Sequence, residues 1–175
     1  VFIEGNEHAT NFSQLAPFDD NMVYSFHKYY NELDLESIRP YLQLREQYNV
    51  PLWLGETGEN SNPWAFHCIQ LMLANKIGWN WWTHKKVQTT SSPYSVLITP
   101  AYQRIIDYWR GEAARPTMAE AMRGLIELAD GLKLENCEVR PDMLDALTRR
   151  AFSGRSTSFA YLTAPGMIPA VHYDM

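Results

Sequence analysis

The sequence contains little cysteine and no long apolar run, and both shortages exclude classes of protein. Cys68 and Cys137 are its two cysteines among 175 residues, too few for a disulfide framework and without a clustered histidine for a zinc site. No apolar run approaches the roughly 18–20 residues that a membrane-spanning helix needs. The sequence therefore predicts neither a metal site nor a membrane segment.

Positive charge is also scarce. The 15 lysines and arginines are outnumbered by 20 acidic residues, so the formal net charge is −5 and no basic stripe is present for a nucleic-acid backbone. The motifs of phosphate-binding loops, dinucleotide-binding folds, zinc proteases and serine hydrolases do not occur. Aromatic residues, in contrast, reach 13%, including six tryptophans and ten tyrosines. This composition suits a packed core and a surface that stacks on flat apolar ligands.

Short apolar runs alternate with helical patterns along the first two thirds of the chain. The runs predict strands at Val1–Glu4, Met22–Tyr30, Val50–Gly55 and Gly78–Thr83. Apolar spacing and an early proline predict helices over Ser37–Tyr48, Pro63–Lys76 and Pro100–Arg110. Such alternation indicates an α/β fold whose parallel strands are buried on both faces. Because an apolar strand opens the chain at Val1, we expect a fragment whose beginning is missing.

The character of the sequence changes after Gly111. Helical patterns over Pro116–Leu132, with Thr117 and Glu120 in capping-box spacing, and over Arg140–Arg150 predict a helical extension at 113–150. The segment 151–166 is rich in Ser, Thr and Gly and is predicted to be a linker. Residues 167–175 turn apolar again, as at the start of another domain.

Polar side chains follow each of the four predicted strands. The segments are Glu4–His8, His27–Tyr29, Gly55–Asn60 and Trp81–Lys86. Because the carboxyl ends of parallel strands meet at one edge of a sheet and carry the site in such folds, the four segments predict a single functional site.

Glu56 is the sharpest candidate in this site. It follows a buried strand directly and lies between Gly55 and Gly58, whose small size lets a substrate approach. A solvated loop glutamate or a helix-capping partner is the alternative. His27 and Tyr29 are two residues apart on a strand, so their side chains share a face and can hydrogen-bond a carboxylate and favour its charged form. Their alternative is a packed core pair.

The tryptophans near the fourth strand also divide between two roles. Because side chains alternate along a strand, Trp81 and Trp82 cannot both be buried on one face. One of them is therefore expected at the mouth of the site, where an indole stacks on the apolar face of a sugar ring.

The four strand ends together resemble the second half of a glycoside hydrolase family 5 domain, a retaining, cellulase-like (β/α)8 barrel. IEGN at 3–6, YSFHKYY at 24–30, WLGETGEN at 53–60 and WNWWTHKK at 79–86 are similar to its strands five to eight, so the resemblance covers residues 1–112. It implies that Glu56 is the nucleophile, with Tyr29 aiming it and His27 bordering the sugar. It further implies a cofactor-free enzyme in which Trp82, Lys85, Trp64, Asn6 and His8 bind a β-linked polysaccharide.

Two features depart from the family pattern. His8 stands where many relatives carry a tryptophan. The family's acid/base is an Asn-Glu after its fourth strand, and Asn6-Glu7 is a tempting match. Only one predicted strand separates it from the strand of Glu56, however, whereas the family has two. We therefore expect the acid/base upstream of Val1, in a missing first half of the barrel; the alternative is Glu7 itself.

The resemblance extends to the tail and to cellular location. Residues 163–175 are similar to the first strand of a family 6 carbohydrate-binding module, which implies a secreted, modular enzyme. The resemblance implies a retaining hydrolase of β-1,4-glucan-type polysaccharides, inactive without its acid/base. The alternative function is a non-catalytic carbohydrate-binding or structural fragment.

Overall fold

A computed structural model describes residues 1–149 and 163–167 of the chain. Most of the predicted linker at 151–166, and nearly all of the predicted module start at 167–175, lie outside the described residues. No helix in the described part is long and apolar enough to cross a membrane.

Strands and helices alternate over residues 2–79, as predicted. In chain order the elements are β1 Phe2–Glu4, α1 Asn6–Ala9, β2 Val23–His27, α2 Leu35–Tyr48, β3 Leu52–Glu56, α3 Asn62–Ala74, β4 Gly78–Trp79, β5 Lys85–Val87, β6 Tyr94–Val96, α4 Pro100–Trp109, α5 Met118–Gly131, a 3-10 turn Leu134–Asn136, β7 Glu138–Val139 and α6 Pro141–Thr148. The α/β class is therefore confirmed.

These elements form two compact units. The first comprises Val1–Thr83 and the segment that begins at Pro141, and the second comprises His84–Arg140. The sequence analysis placed a boundary between residues 112 and 113. That boundary falls inside the second unit, because α4 and α5 pack against each other, while α6 packs against α3 in the first unit.

The first unit is built on a parallel sheet. Its strand order is β1-β2-β3-β4, and each neighbouring pair is parallel. β4 is shorter than the predicted run Gly78–Thr83, because it pairs with β3 only through Gly78 and Trp79. Side chains cap both long helices of this unit: Asp34 caps α2 by accepting from the amide of Ser37, and Ser61 caps α3.

One face of this sheet carries the core. Tyr24, Phe26, Leu52 and Leu54 lie on it and pack against α2 and α3. The rings of Phe26 and Tyr41 stack at 4.0 Å between centroids, which fixes α2 on the sheet. A second cluster joins α3 to α6. Successive residues of a strand point to opposite faces of the sheet. The helices cover the face that carries the core, and the alternate residues of each strand point to the opposite face.

The opposite face is open at its β1 edge. Phe2 contacts Trp53 edge-to-face at 5.8 Å between centroids, yet it remains 62% exposed. The prediction that Val1–Glu4 is a buried strand is wrong, because β1 is the edge strand of the sheet and the described residues supply no neighbour beyond it.

The second unit contains a small sheet that the sequence analysis missed. β5 is parallel to β6, which is antiparallel to β7. Two antiparallel helices accompany it, and α5 begins with the predicted capping box of Thr117 and Glu120. Gly124 permits the close approach of α5 to α4, since a Cβ there would meet the Ala101 carbonyl oxygen at 2.7 Å.

Candidate active site

Glu56 lies at the carboxyl edge of the parallel sheet. It is the last residue of β3 and pairs with His27, the last residue of β2. The register shifts between Phe26 and His27, and the backbone N–H of Lys28 donates to the Glu56 carbonyl at 3.0 Å. Such irregularities at strand ends re-aim side chains. Here the register shift and the added hydrogen bond join the ends of β2 and β3 beside the Glu56 carboxylate.

Two side chains from β2 and its following loop converge on this carboxylate. The Tyr29 hydroxyl donates to Glu56 Oε2 at 3.1 Å. His27 Nδ1 lies 3.6 Å from the same oxygen. His27 Nε2 faces away from Glu56, 3.1 Å from Glu4 Oε1 at the end of β1. Three adjacent strand ends therefore contribute to one connected polar group. Glu4 belongs to it, although the sequence analysis included Glu4 only as part of the segment Glu4–His8.

The environment fixes Tyr29 in its neutral form. Burial, and then the negative charge of Glu56, raise the pKa of the Tyr29 phenol well above its ordinary value. The hydroxyl therefore keeps its proton at neutral pH and acts as a hydrogen-bond donor to Glu56.

A cavity of about 330 Å³ opens beside these groups. Its size lies at the lower end of the range for small-molecule sites, roughly 300–1,000 Å³. The lining residues combine polar and aromatic side chains: His8, Thr10, His27, Lys28, Tyr29, Asn31, Ser37, Tyr41 and Glu56. Among the described residues that line it, Glu56 is the one carboxylate. The lining thus offers hydrogen-bond donors and acceptors together with the rings of Tyr29 and Tyr41.

Lys28 is a buried residue of the cavity lining. It is only 2% exposed, and its ammonium donates to Asn31 Oδ1, the Glu32 carbonyl and Ser37 Oγ at 2.6–2.9 Å. Burial lowers the pKa of Lys28. These bonds tie the loop after β2, which carries Tyr29, to the start of α2. The sequence shows a lysine between His27 and Tyr29, but it does not predict this role, because the partners of Lys28 lie in a loop whose position the sequence does not give.

Trp82 projects from the segment after β4, next to the loop that follows Glu56. Its backbone N–H donates to the Thr57 carbonyl at 2.7 Å, and it forms an isolated bridge with Gly58. The approach requires glycine, because Gly58 has a φ of +154° and a Cβ there would lie 2.0 Å from the Trp82 carbonyl oxygen. The Trp82 side chain is 46% exposed, whereas Trp81 packs against the cluster between α3 and α6.

The remaining sequence candidates occupy several places. His8 lines the cavity from a turn in which Glu7 and His8 both have left-handed backbone angles. Asn6 closes that turn by backbone hydrogen bonds to Asn11. Glu7 lines a different, neighbouring cavity of about 410 Å³, and its Oε1 accepts from the Asn11 side chain at 3.4 Å. The structure thus brings His8, but not Glu7, to the cavity of Glu56.

Trp64 and Lys85 are engaged elsewhere. Trp64 is half-buried against the core, and its indole N–H donates to the Asn31 carbonyl at 3.2 Å. Lys85 belongs to β5 in the second unit, where its ammonium donates to the Leu132 carbonyl. Neither residue lines the cavity of Glu56.

The described residues contain no group of three His, Cys, Asp or Glu side chains placed to hold a metal ion. Comparison with protein-family models, with curated proteins and with solved structures finds no match to the chain.

Proposed function

We propose that this chain supplies strands five to eight of a retaining β-glycosidase barrel similar to glycoside hydrolase family 5, with Glu56 as the nucleophile. The observation that carries the proposal is the Glu56 carboxylate, held by Tyr29 beside His27 at the carboxyl edge of a parallel sheet and open to a cavity. Carboxyl edges of parallel sheets carry active sites in α/β enzymes. The substrate is a β-1,4-glucan-type polysaccharide.

The reaction divides the work between two carboxyl groups. In retaining glycosidases these groups lie about 5–5.5 Å apart. A Glu56 oxygen attacks the anomeric carbon while the glycosidic C–O bond breaks, giving a glycosyl-enzyme, and the departing oxygen takes a proton from the acid. The acid, now a base, then removes a proton from the water that releases the sugar. Tyr29 aims Glu56, His27 borders the sugar, and the exposed Trp82 indole forms its floor.

The acid/base belongs to the other half of the barrel in this proposal. Glu7 is disfavoured because it lines the neighbouring cavity rather than that of Glu56. Four strands cannot close an eight-stranded barrel, so β1 needs a neighbour. The exposed Phe2 on the edge strand supports this need, because apolar edge strands are ordinarily covered or paired.

The proposal is tested on the protein in which the other half of the barrel accompanies this chain. A 2-deoxy-2-fluoro-glucoside with a good leaving group should label a peptide that contains Glu56, read by mass spectrometry. Glu56→Gln should lower turnover by several orders of magnitude and leave glucan binding largely intact. Glu36→Gln, which alters an exposed glutamate paired with Arg39, is the matched control. Labelling of Glu7 or Glu59 would overturn the assignment.

The isolated chain gives an independent test. Without the acid, the leaving oxygen lacks a proton donor, and general acid catalysis supplies about 10²–10⁴-fold. We expect the 175 residues alone not to hydrolyse an unactivated β-glucan and to dimerise or aggregate through the exposed edge. Robust turnover by a monodisperse sample would contradict the half-barrel and promote Glu7 to acid/base.

A non-catalytic, glycan-binding function is the second candidate. The exposed Trp82 indole favours it equally, because stacking on a sugar requires no nucleophile. Release of reducing sugar from a soluble β-glucan by the complete barrel separates the two, since a binding module releases none.

A further inference from the structure

The His27 ring bridges two carboxylates. Glu4 ends β1, and its Oε1 lies 3.1 Å from His27 Nε2. On the other side of the ring, His27 Nδ1 lies 3.6 Å from Glu56 Oε2. The His27 side chain is mostly buried, whereas that of Glu4 is 56% exposed. The ring is therefore fixed in place by its surroundings, and Glu4 contacts the nitrogen that faces away from Glu56.

Hydrogen-bond chemistry assigns the proton of this ring. An ionised carboxylate only accepts hydrogen bonds, so the nitrogen that faces Glu4 at 3.1 Å carries the hydrogen. For the neutral ring, which has one donor and one acceptor, this leaves Nδ1 as the acceptor. The 3.6 Å between Nδ1 and Glu56 Oε2 exceeds a normal hydrogen bond, as expected for two acceptors side by side. A hydroxyl donor is the group that satisfies such a pair.

We propose that Glu4 is a positioning residue: it fixes the His27 tautomer so that Nδ1, beside Glu56, accepts a hydrogen bond from a substrate hydroxyl. The inference rests on the proposed function for the identity of that substrate, a β-linked glucan. It does not rest on that function for the tautomer, which follows from the contact with Glu4. Glu4 touches neither the sugar nor the reacting atoms in this arrangement and acts through His27.

The tautomer is tested directly by nitrogen NMR on the complete protein labelled with ¹⁵N-histidine. The signals of His27 are identified as those lost in His27→Asn. In the unaltered protein we expect a protonated Nε2 and an unprotonated Nδ1. Glu4→Leu should remove the preference for that tautomer, and the control Glu36→Gln should preserve it. A protonated Nδ1 in the unaltered protein, or an unchanged spectrum in Glu4→Leu, would overturn the proposal.

Ligand binding tests the consequence of the tautomer. Glu4→Leu should weaken calorimetric binding of a β-1,4-linked glucose tetramer roughly tenfold, the order expected for one buried hydrogen bond. Glu4→Gln, whose amide can either accept from Nε2 or donate to it, should fall between Glu4→Leu and the unaltered protein. Unaltered affinity in a Glu4→Leu protein that has lost the tautomer would refute the positioning role. Absence of hydrolysis with these NMR and binding results intact would instead refute the proposed catalytic function alone.

Discussion

Replacing Gly55 by alanine should destabilise the fold next to Glu56, through one identifiable clash. A Cβ on residue 55 would lie 2.1 Å from the Ser25 hydroxyl oxygen but 3.5 Å from Ser25 Cβ. It would also lie 3.5 Å from Glu4 Oε1, an ordinary van der Waals distance. Ser25 is buried on the neighbouring strand β2 and cannot easily turn its hydroxyl into solvent. The conflict is therefore confined to one oxygen atom.

The size of the effect follows from two opposing contributions. Overpacking a core position costs about 1–3 kcal/mol. Replacing glycine by alanine stabilises by about 0.4–1 kcal/mol when the backbone angles suit, because the unfolded chain loses freedom. We therefore expect Gly55→Ala to lower the free energy of unfolding by about 1–2 kcal/mol. Ser25→Ala removes the clashing oxygen, so the double variant should recover most of this loss.

Urea unfolding of the complete protein in its four forms measures this coupling. The forms are the unaltered protein, Gly55→Ala, Ser25→Ala and the double variant, and the cycle should give an interaction of about 1–2 kcal/mol. Turnover should follow stability, falling in Gly55→Ala and returning in the double variant, because residue 55 directly precedes Glu56. A double variant no more stable than Gly55→Ala would refute the reasoning, since the clash would then lie elsewhere.

Three further variants test the site. Tyr29→Phe should lower kcat/KM roughly 10–150-fold in steady-state assays, as expected for a hydrogen bond to a charged group, and an unchanged value would make Tyr29 a packing residue. Trp82→Ala should weaken glucan binding by about 1–3 kcal/mol in calorimetry; unaltered binding would point to Trp81. Burial lowers the pKa of Lys28 below its ordinary 10.5, so between the folded pKa and 10.5 the unfolded chain binds more protons than the folded one. The free energy of unfolding should therefore rise with pH across that range. Lys28→Met should abolish that rise in the free energy of unfolding, measured by urea unfolding at several pH values. A rise that persists in the variant would have to come from another group.

The site residues on β2 and β3 could be predicted because their signals are local. An apolar run that ends in glycine and glutamate fixes Glu56 at a strand end, and an interval of two residues puts His27 and Tyr29 together. Glu4 could not be predicted in the same way. Its contact with His27 depends on the parallel register that sets Glu4 opposite Ser25, and register is a property of the pairing rather than of either strand.

The second unit illustrates the opposite case. β5 reads Lys-Lys-Val and β7 Glu-Val, segments without the apolar alternation that predicts a strand. Their extended conformation comes from pairing with β6, and in the case of β7 the paired residues, such as Tyr94 and Val139, are 45 positions apart. Tertiary context decides such short strands, so the sequence after Trp82 does not predict that Lys85 belongs to β5.

Two unrelated features of the first unit have one explanation in the proposed half-barrel. The first is the exposed side chain of Phe2, on the open face of the edge strand β1. The second is the cavity of Glu56, which has one carboxylate among its described lining residues, whereas retaining hydrolysis needs two. A strand added beside β1 would cover Phe2 and bring its own carboxyl end to the same rim, next to Glu4. In the proposed barrel, side chains at that rim converge towards the axis, so a carboxylic acid on the added strand would face Glu56 across the sugar. If the acid instead came from a segment that does not pair with β1, the exposed edge of β1 would have no explanation.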